Sequence, residues 1–112
     1  MYSAKNEKML NKIENIMRNY ISTTNFHWNS DVFTSSSITK IVIKALKLQQ
    51  TKFRIIHKVV RDTLKKWAKK SYCIHIETTH YGHSQKTKMI VQFSNYGLEN
   101  LILIPEVLPL PV

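Results

Sequence analysis

Glycine, proline and cysteine are scarce in this chain, and seven acidic side chains stand against seventeen basic ones. With Cys73 as the only cysteine, an intramolecular disulfide and a cysteine-based zinc finger are excluded. Gly82 and Gly97 are the only glycines, so no glycine-rich loop exists to cradle a nucleotide phosphate. No apolar run approaches the roughly 20 residues that cross a bilayer; the longest, Leu101 to Ile104, stops at Pro105. An N-terminal apolar signal segment is missing as well, and the sequence reads as that of an intracellular protein that does not span a membrane. The acids fall on six different elements or loops, too dispersed for the clustered carboxylates of a two-metal nuclease. Cys73 and His75 sit two apart on one strand without a third group to orient them as a nucleophile pair. The expectation is a protein that is not an enzyme and carries no cofactor.

What the chain does have is a packed-core composition and a concentrated charge. Its 112 residues fit one domain, and 43% hydrophobic with 10% aromatic residues supply enough apolar surface to offset the ordering entropy of folding. The net charge of +10 calls for a polyanionic partner. Eleven of the cations and a single acid, Asp62, lie between Lys40 and Lys70, while the rest of the chain is balanced. Localised charge of this kind suits a phosphate-binding surface, because each neutralised phosphate releases counterions.

Met9, Leu10, Ile13, Ile16, Met17, Tyr20 and Ile21 recur at three and four, which predicts a first amphipathic helix of about five turns. The polar stretch 23–31 reads as a loop, with a possible short strand near 28–33 and with Trp28 and Phe33 plugging the core. Thr34 or one of Ser35, Ser36 and Ser37 can cap a second helix over about 36–47, whose face Ile38, Ile41, Val42, Ala45 and Leu48 opposes Lys40, Lys44 and Lys47. Gln49-Gln50-Thr51 leaves a tight turn, with Thr51 as N-cap of a third helix over about 52–70. There Phe53, Ile56, His57, Val60, Leu64 and Trp67 form one apolar stripe, His57 being a core-edge residue bonded to the backbone. Arg54, Lys58, Arg61 and Lys65 form a second stripe within about 60° of arc. Like charges at i, i+4 repel, and an anion relieves them; the plain alternative is a solvated face. From Tyr72 the period is two: strands over 72–77 and 89–93 flank a polar connection, 78–87, that carries His80, Tyr81, His83, Lys86 and Gly82. Such a hairpin can lie along a DNA backbone or enter a minor groove.

Helix, short strand, helix, tight turn, basic helix and hairpin is the element order of the winged helix-turn-helix family, and residues 8–94 resemble it. The likeness is carried by Phe33-Thr34 before the second helix, Ile38 and Ile41 within it, the turn Gln49-Gln50-Thr51, and the hairpin from Tyr72 to Phe93. Gln49 or Gln50 stands where the family commonly has glycine. A composition heavy in Lys, Ile and Asn also resembles small winged-helix proteins of crenarchaea and their viruses and plasmids. The resemblance implies an α+β winged helix-turn-helix, three helices followed by a two-stranded antiparallel wing, over 1–94, with 95–112 as an apolar, proline-containing tail. It implies a nucleoid-associated protein of the cytoplasm, or of the host cytoplasm if viral, with double-stranded DNA as partner. The third helix would enter the major groove, Lys52, Arg54, Ile55, Lys58 and Arg61 lying closest to the bases. Arg54 and Arg61 are the base readers, since a guanidinium spans guanine O6 and N7. Lys40, Lys44, Lys65, Lys86 and Lys88 would hold the backbone, and Ile55 or Val59 would touch a thymine methyl.

His75, His80 and His83 with Cys73 could in principle hold zinc, but closed sites bring four ligands at better-defined spacings, and no metal is expected. The tail from Leu98 reads either as a segment folded over the first helix or as a contact for a second copy or a protein partner. A transcriptional regulator is the leading reading and a winged-helix interaction module of a transcription or replication assembly is the alternative; RNA binding, with only Tyr72, Tyr81 and Phe93 to stack, ranks below both.

Overall fold

A computed structural model describes residues 4–81 and 86–102. Among them the chain is an α+β domain of four α-helices and a three-stranded antiparallel sheet: α1 Ala4–Trp28, β1 Val32–Thr34, α2 Ser35–Leu46, a 3-10 turn Gln50–Lys52, α3 Phe53–Lys69, β2 Cys73–Tyr81, β3 Lys86–Phe93 and α4 Asn95–Leu101. The sheet order is β1-β3-β2. β1 joins through Val32↔Gln92, Phe33↔Val91 and Thr34↔Ile90, so the strand element is three-stranded and the two-stranded reading is corrected.

One core serves all the elements. Ile13, Met17 and Ile21 of α1, Ile38, Val42 and Ile43 of α2, and Ile56, Val60, Leu64 and Trp67 of α3 close over Phe33, Cys73, Met89, Val91 and Phe93 of the sheet. Phe33 stands edge-on to Tyr20 and to Phe93, and Trp67 edge-on to Phe93, the geometry that aromatic quadrupoles favour.

Each helix end has a local cause. Thr34 caps α2, its Oγ1 accepting from the Ser37 amide at 3.2 Å, whereas Thr51 caps nothing, because a 3-10 turn runs straight into α3 with no side-chain cap. The three long helices all stop at a non-glycine residue in the left-handed region: Asn29, Lys47 and Ser71, with φ of 52°, 56° and 66°. After α2 and α3 the amides of Leu48 and Tyr72 reach back to the carbonyls of Ile43 and Trp67, closing the Schellman pattern that usually takes glycine. The left-handed residue in the α2–α3 connection is thus Lys47, two positions before the glutamines.

α1 continues through 23–28, where the composition suggests a loop, because neither proline nor glycine interrupts it and only the last residues outrun the core. Phe26 and Trp28, on that overhang, are 83% and 79% exposed; Trp28 does not plug the core, which Phe33 alone reaches. The strands are also longer than their periodicity suggests, taking in His80, Tyr81 and Lys86 from the expected connection.

α4, absent from the three-helix reading, begins at Ser94, whose Oγ accepts from the Gly97 amide at 3.0 Å. It lies against α1: Leu101 is fully buried, and Arg18 donates to the Asn100 carbonyl at 2.9 Å. The part of the tail within the described residues therefore covers the first helix, and 103–112 lie outside them.

Candidate nucleic-acid interface

α2 and α3 each turn an apolar face to the core and a cationic face away from it. Lys40 and Lys44 are exposed on α2, with Lys47 exposed at the turn beyond it; Lys52, Arg54, Lys58 and Lys65 are exposed along α3. Lys69, exposed four residues after Lys65, continues the same stripe; the i, i+4 period already points to it. Ile55, 61% exposed beside Arg54 and Lys58, presents an uncovered side chain on the same half of the helix, while Val59 packs against the core.

Not every cation of the 40–70 segment is available. Lys66 is held by Glu14 at 2.8 Å, and Lys70 lies over the Tyr72 ring at 5.9 Å from its centroid. Glu14 also accepts from Trp67 Nε1 at 3.0 Å and meets Arg18 at 3.4 Å, joining α1 to α3 through one carboxylate. Burial pushes that carboxyl up, but the hydrogen bonds from Lys66 and Trp67 and the charges of Lys66 and Arg18 outweigh it and hold it below the usual range. Glu7, Glu14 and Asp62 line one groove of about 310 Å³ between α1 and α3. Acids far apart in sequence are thus gathered along one groove, with Asp62 one turn from Lys58 at the border of the cationic stripe, a proximity that single-sequence spacing does not reveal.

Arg61 differs from the rest of the stripe. It is half-buried, its Nε has no hydrogen-bond partner, and its charge bears on His57 one turn earlier. His57 itself is buried and bonded to a side chain, not to the backbone: its Nε2 lies 2.8 Å from Ser35 Oγ, which accepts from the Met89 amide at 2.9 Å. The hydroxyl thus sits between the strand amide and the ring, and the direction of its bond with Nε2 follows the ring's tautomer. This chain fixes the start of α2, the middle of α3 and β3 against one another.

Burial, with the Arg61 charge second, lowers the His57 pKa to about 4. The unfolded chain, with a histidine near 6.5, then binds the proton first, so the stabilisation is complete above pH 6.5 and is lost as pH falls from there toward 4. Between pH 6.5 and 5 the loss is expected to reach about 2 kcal/mol. Urea midpoints measured across that interval should fall in the native chain and stay level in His57→Gln; equal slopes in the two would remove His57 as the cause.

No protein-family model, no curated protein and no solved structure matches the chain.

The hairpin residues fall into two groups. Lys88 is half-buried on β3, and His80 and Tyr81 oppose Thr87 and Lys86 in the β2–β3 register. His83 lies outside the described residues. Cys73 faces the core, its Sγ directed at the Leu64 carbonyl at 3.7 Å, and burial raises its thiol to about 11, which leaves it a poor nucleophile at neutral pH. Among the described residues no three His, Cys, Asp or Glu side chains gather as a metal site, and no helix is long and apolar enough to cross a membrane.

Proposed function

We propose that the chain is a winged helix-turn-helix protein that binds duplex DNA and acts as a transcriptional regulator, with α3 in the major groove and the β2–β3 hairpin as its wing. The observation that carries this reading is the division of cations. Lys40 and Lys44 on α2 and Lys52, Arg54, Lys58, Lys65 and Lys69 along α3 are exposed, whereas Lys66 is engaged by Glu14 and Asp62 is the one acid among the cations of α3. Two further features support it: β1 between α1 and α2 pairs with β3 in the order β1-β3-β2, and α3 follows α2 through a short turn. Both features suit a helix-turn-helix whose hairpin returns beside its third helix.

In this reading Lys52, Arg54, Ile55 and Lys58 stand nearest the bases, and Lys40, Lys44 and Lys65 meet phosphates. Arg54 is the principal reader of guanine, being fully presented, while Arg61 is half-buried beside His57 and contributes through packing as well as charge.

Titration of random-sequence duplex DNA at two or more salt concentrations tests the proposal. Binding should weaken steeply with salt, the logarithm of the affinity falling by about 0.9 per phosphate contact for each tenfold rise. Affinity that is absent or indifferent to salt would overturn it. In that event the interaction-module reading takes its place, and the exposed Phe26 and Trp28 at the end of α1 become the first surface to probe for a protein partner.

A further inference from the structure

Asp62 is the one acid of α3, and it is exposed. At about 100° per residue it stands about 40° from Lys58 and about 20° from both Ile55 and Lys69, which precede and follow it at equal intervals along the helix. Helical spacing offers it Lys66 as a partner one turn on, but Lys66 is held by Glu14 at 2.8 Å. Asp62 enters no ion pair among the described residues. Ile55, 61% exposed, heads the same row. Beside the cations Arg54, Lys58, Lys65 and Lys69, the exposed side of α3 thus presents two groups that do not bind phosphate.

A surface that meets only the DNA backbone gains affinity from each cation and loses it from each carboxylate, so an acid without an ion pair works against such binding at every sequence. Against base edges the same carboxylate has a specific use. It accepts from the exocyclic N4 amine of cytosine, and an exposed alkyl side chain packs on the C5-methyl of thymine. Contacts of this kind form at few sequences, and elsewhere the carboxylate is left facing phosphates that it repels, which is how a repulsive element sharpens selection. From Ile55 to Asp62 the helix rises about 10.5 Å, roughly three steps of about 3.4 Å along a DNA strand.

Resting on the duplex-binding reading above, we propose that α3 selects its site by sequence, with Asp62 accepting from a cytosine amine and Ile55 packing on a thymine methyl about three base pairs away. Asp62 is a specificity residue: it weakens binding to DNA in general and strengthens binding at the chosen site. Arg54 and the lysines supply the affinity on which that selection acts.

Affinity selection by the full-length chain from a random-sequence duplex pool tests this, followed by titration of the enriched duplex and of the unselected pool with native and Asp62→Ala protein. Alanine at an exposed helical position without an ion pair keeps the fold. The enriched duplex should carry a cytosine about three base pairs from a thymine and bind the native chain at least about 100-fold more tightly than the pool. Asp62→Ala should move the two affinities in opposite directions, to about two- to fivefold tighter on the pool and about tenfold weaker on the enriched duplex. Replacing that thymine by uracil, which removes only the methyl group, should cost the native chain about fourfold and the Ile55→Ala chain nothing. An Asp62→Ala chain that gains on both ligands has lost only a repulsive charge, and one that loses on both has lost a structural contact; either result overturns the proposal. Salt-sensitive binding with no enriched sequence also overturns it and leaves the duplex-binding reading standing, whereas no binding to any duplex overturns both.

Discussion

The variant Arg54→Ala/Lys58→Ala/Lys65→Ala is expected to bind duplex DNA about 100-fold more weakly than the native chain at low salt. All three side chains are exposed and make no ion pair among the described contacts, so their removal should leave folding close to unchanged. Three phosphate or base contacts at about 1 kcal/mol each give about 3 kcal/mol, which is two decades of affinity. The salt dependence must move with it, the slope becoming shallower by almost 3, because three fewer cations release counterions. A loss of affinity without a change of slope would mean that the variant had damaged the fold instead. Lys65 takes the place of Arg61 in this set for that reason: Arg61→Ala would remove a half-buried side chain beside His57 and mix stability with binding.

Gly97→Ala is expected to destabilise the protein by about 2–3 kcal/mol, against the direction that helix propensity gives. Alanine is better than glycine inside a helix by about 1 kcal/mol, and an open position would gain from the change. At Gly97 a Cβ would stand 1.8 Å from the Tyr72 carbonyl oxygen and 2.5 Å from its carbon. Both are backbone atoms, with no flexible side-chain end to swing aside, so α4 must move. Displacing α4 uncovers Leu101, worth about 2–3 kcal/mol of burial, and breaks the Arg18 bond to the Asn100 carbonyl. Urea denaturation gives the size, and Leu101→Ala, expected to cost about the same, supplies the comparison. A Gly97→Ala chain as stable as the native one would show that α4 is not held where it packs on α1.

Helical periodicity made α2 and α3 legible to within a residue or so at each end, and the cationic stripe with them, because a single face buried at three and four leaves its mark on every turn. α1 was legible only as far as Ile21. Beyond it the signal that fades is burial, not helicity, and a chain without proline or glycine keeps winding after its core contacts have ended. α4 left still less trace: seven residues give no repeat, and its anchor is a glycine chosen for closeness to Tyr72. β1 is three residues long and gains its identity from β3, nearly 60 positions away. The Ser35–His57–Met89 chain has the same character. A serine at a helix start reads as a cap, and only the tertiary fold turns its hydroxyl inward to a histidine and a strand amide. Among the interface residues, spacing identified those that share a face but could not separate the engaged Lys66 from the open Lys69, since that difference is made by Glu14 on another helix.

The left-handed residues at 29, 47 and 71 bear on how the molecule would meet a ligand. Glycine at such joints offers many backbone states, and a protein that uses it must freeze them. Asn29, Lys47 and Ser71 offer far fewer, at a cost of roughly 1 kcal/mol each in the folded chain. Two of these joints bracket α3, so the angle at which that helix is presented is set during folding and not at the moment of contact. Preorganisation of this kind leaves little ordering entropy to be lost on association. Exchanging Lys47 or Ser71 for glycine relaxes the strain and at the same time loosens the hinge, trading a sharper encounter for a more tolerant one.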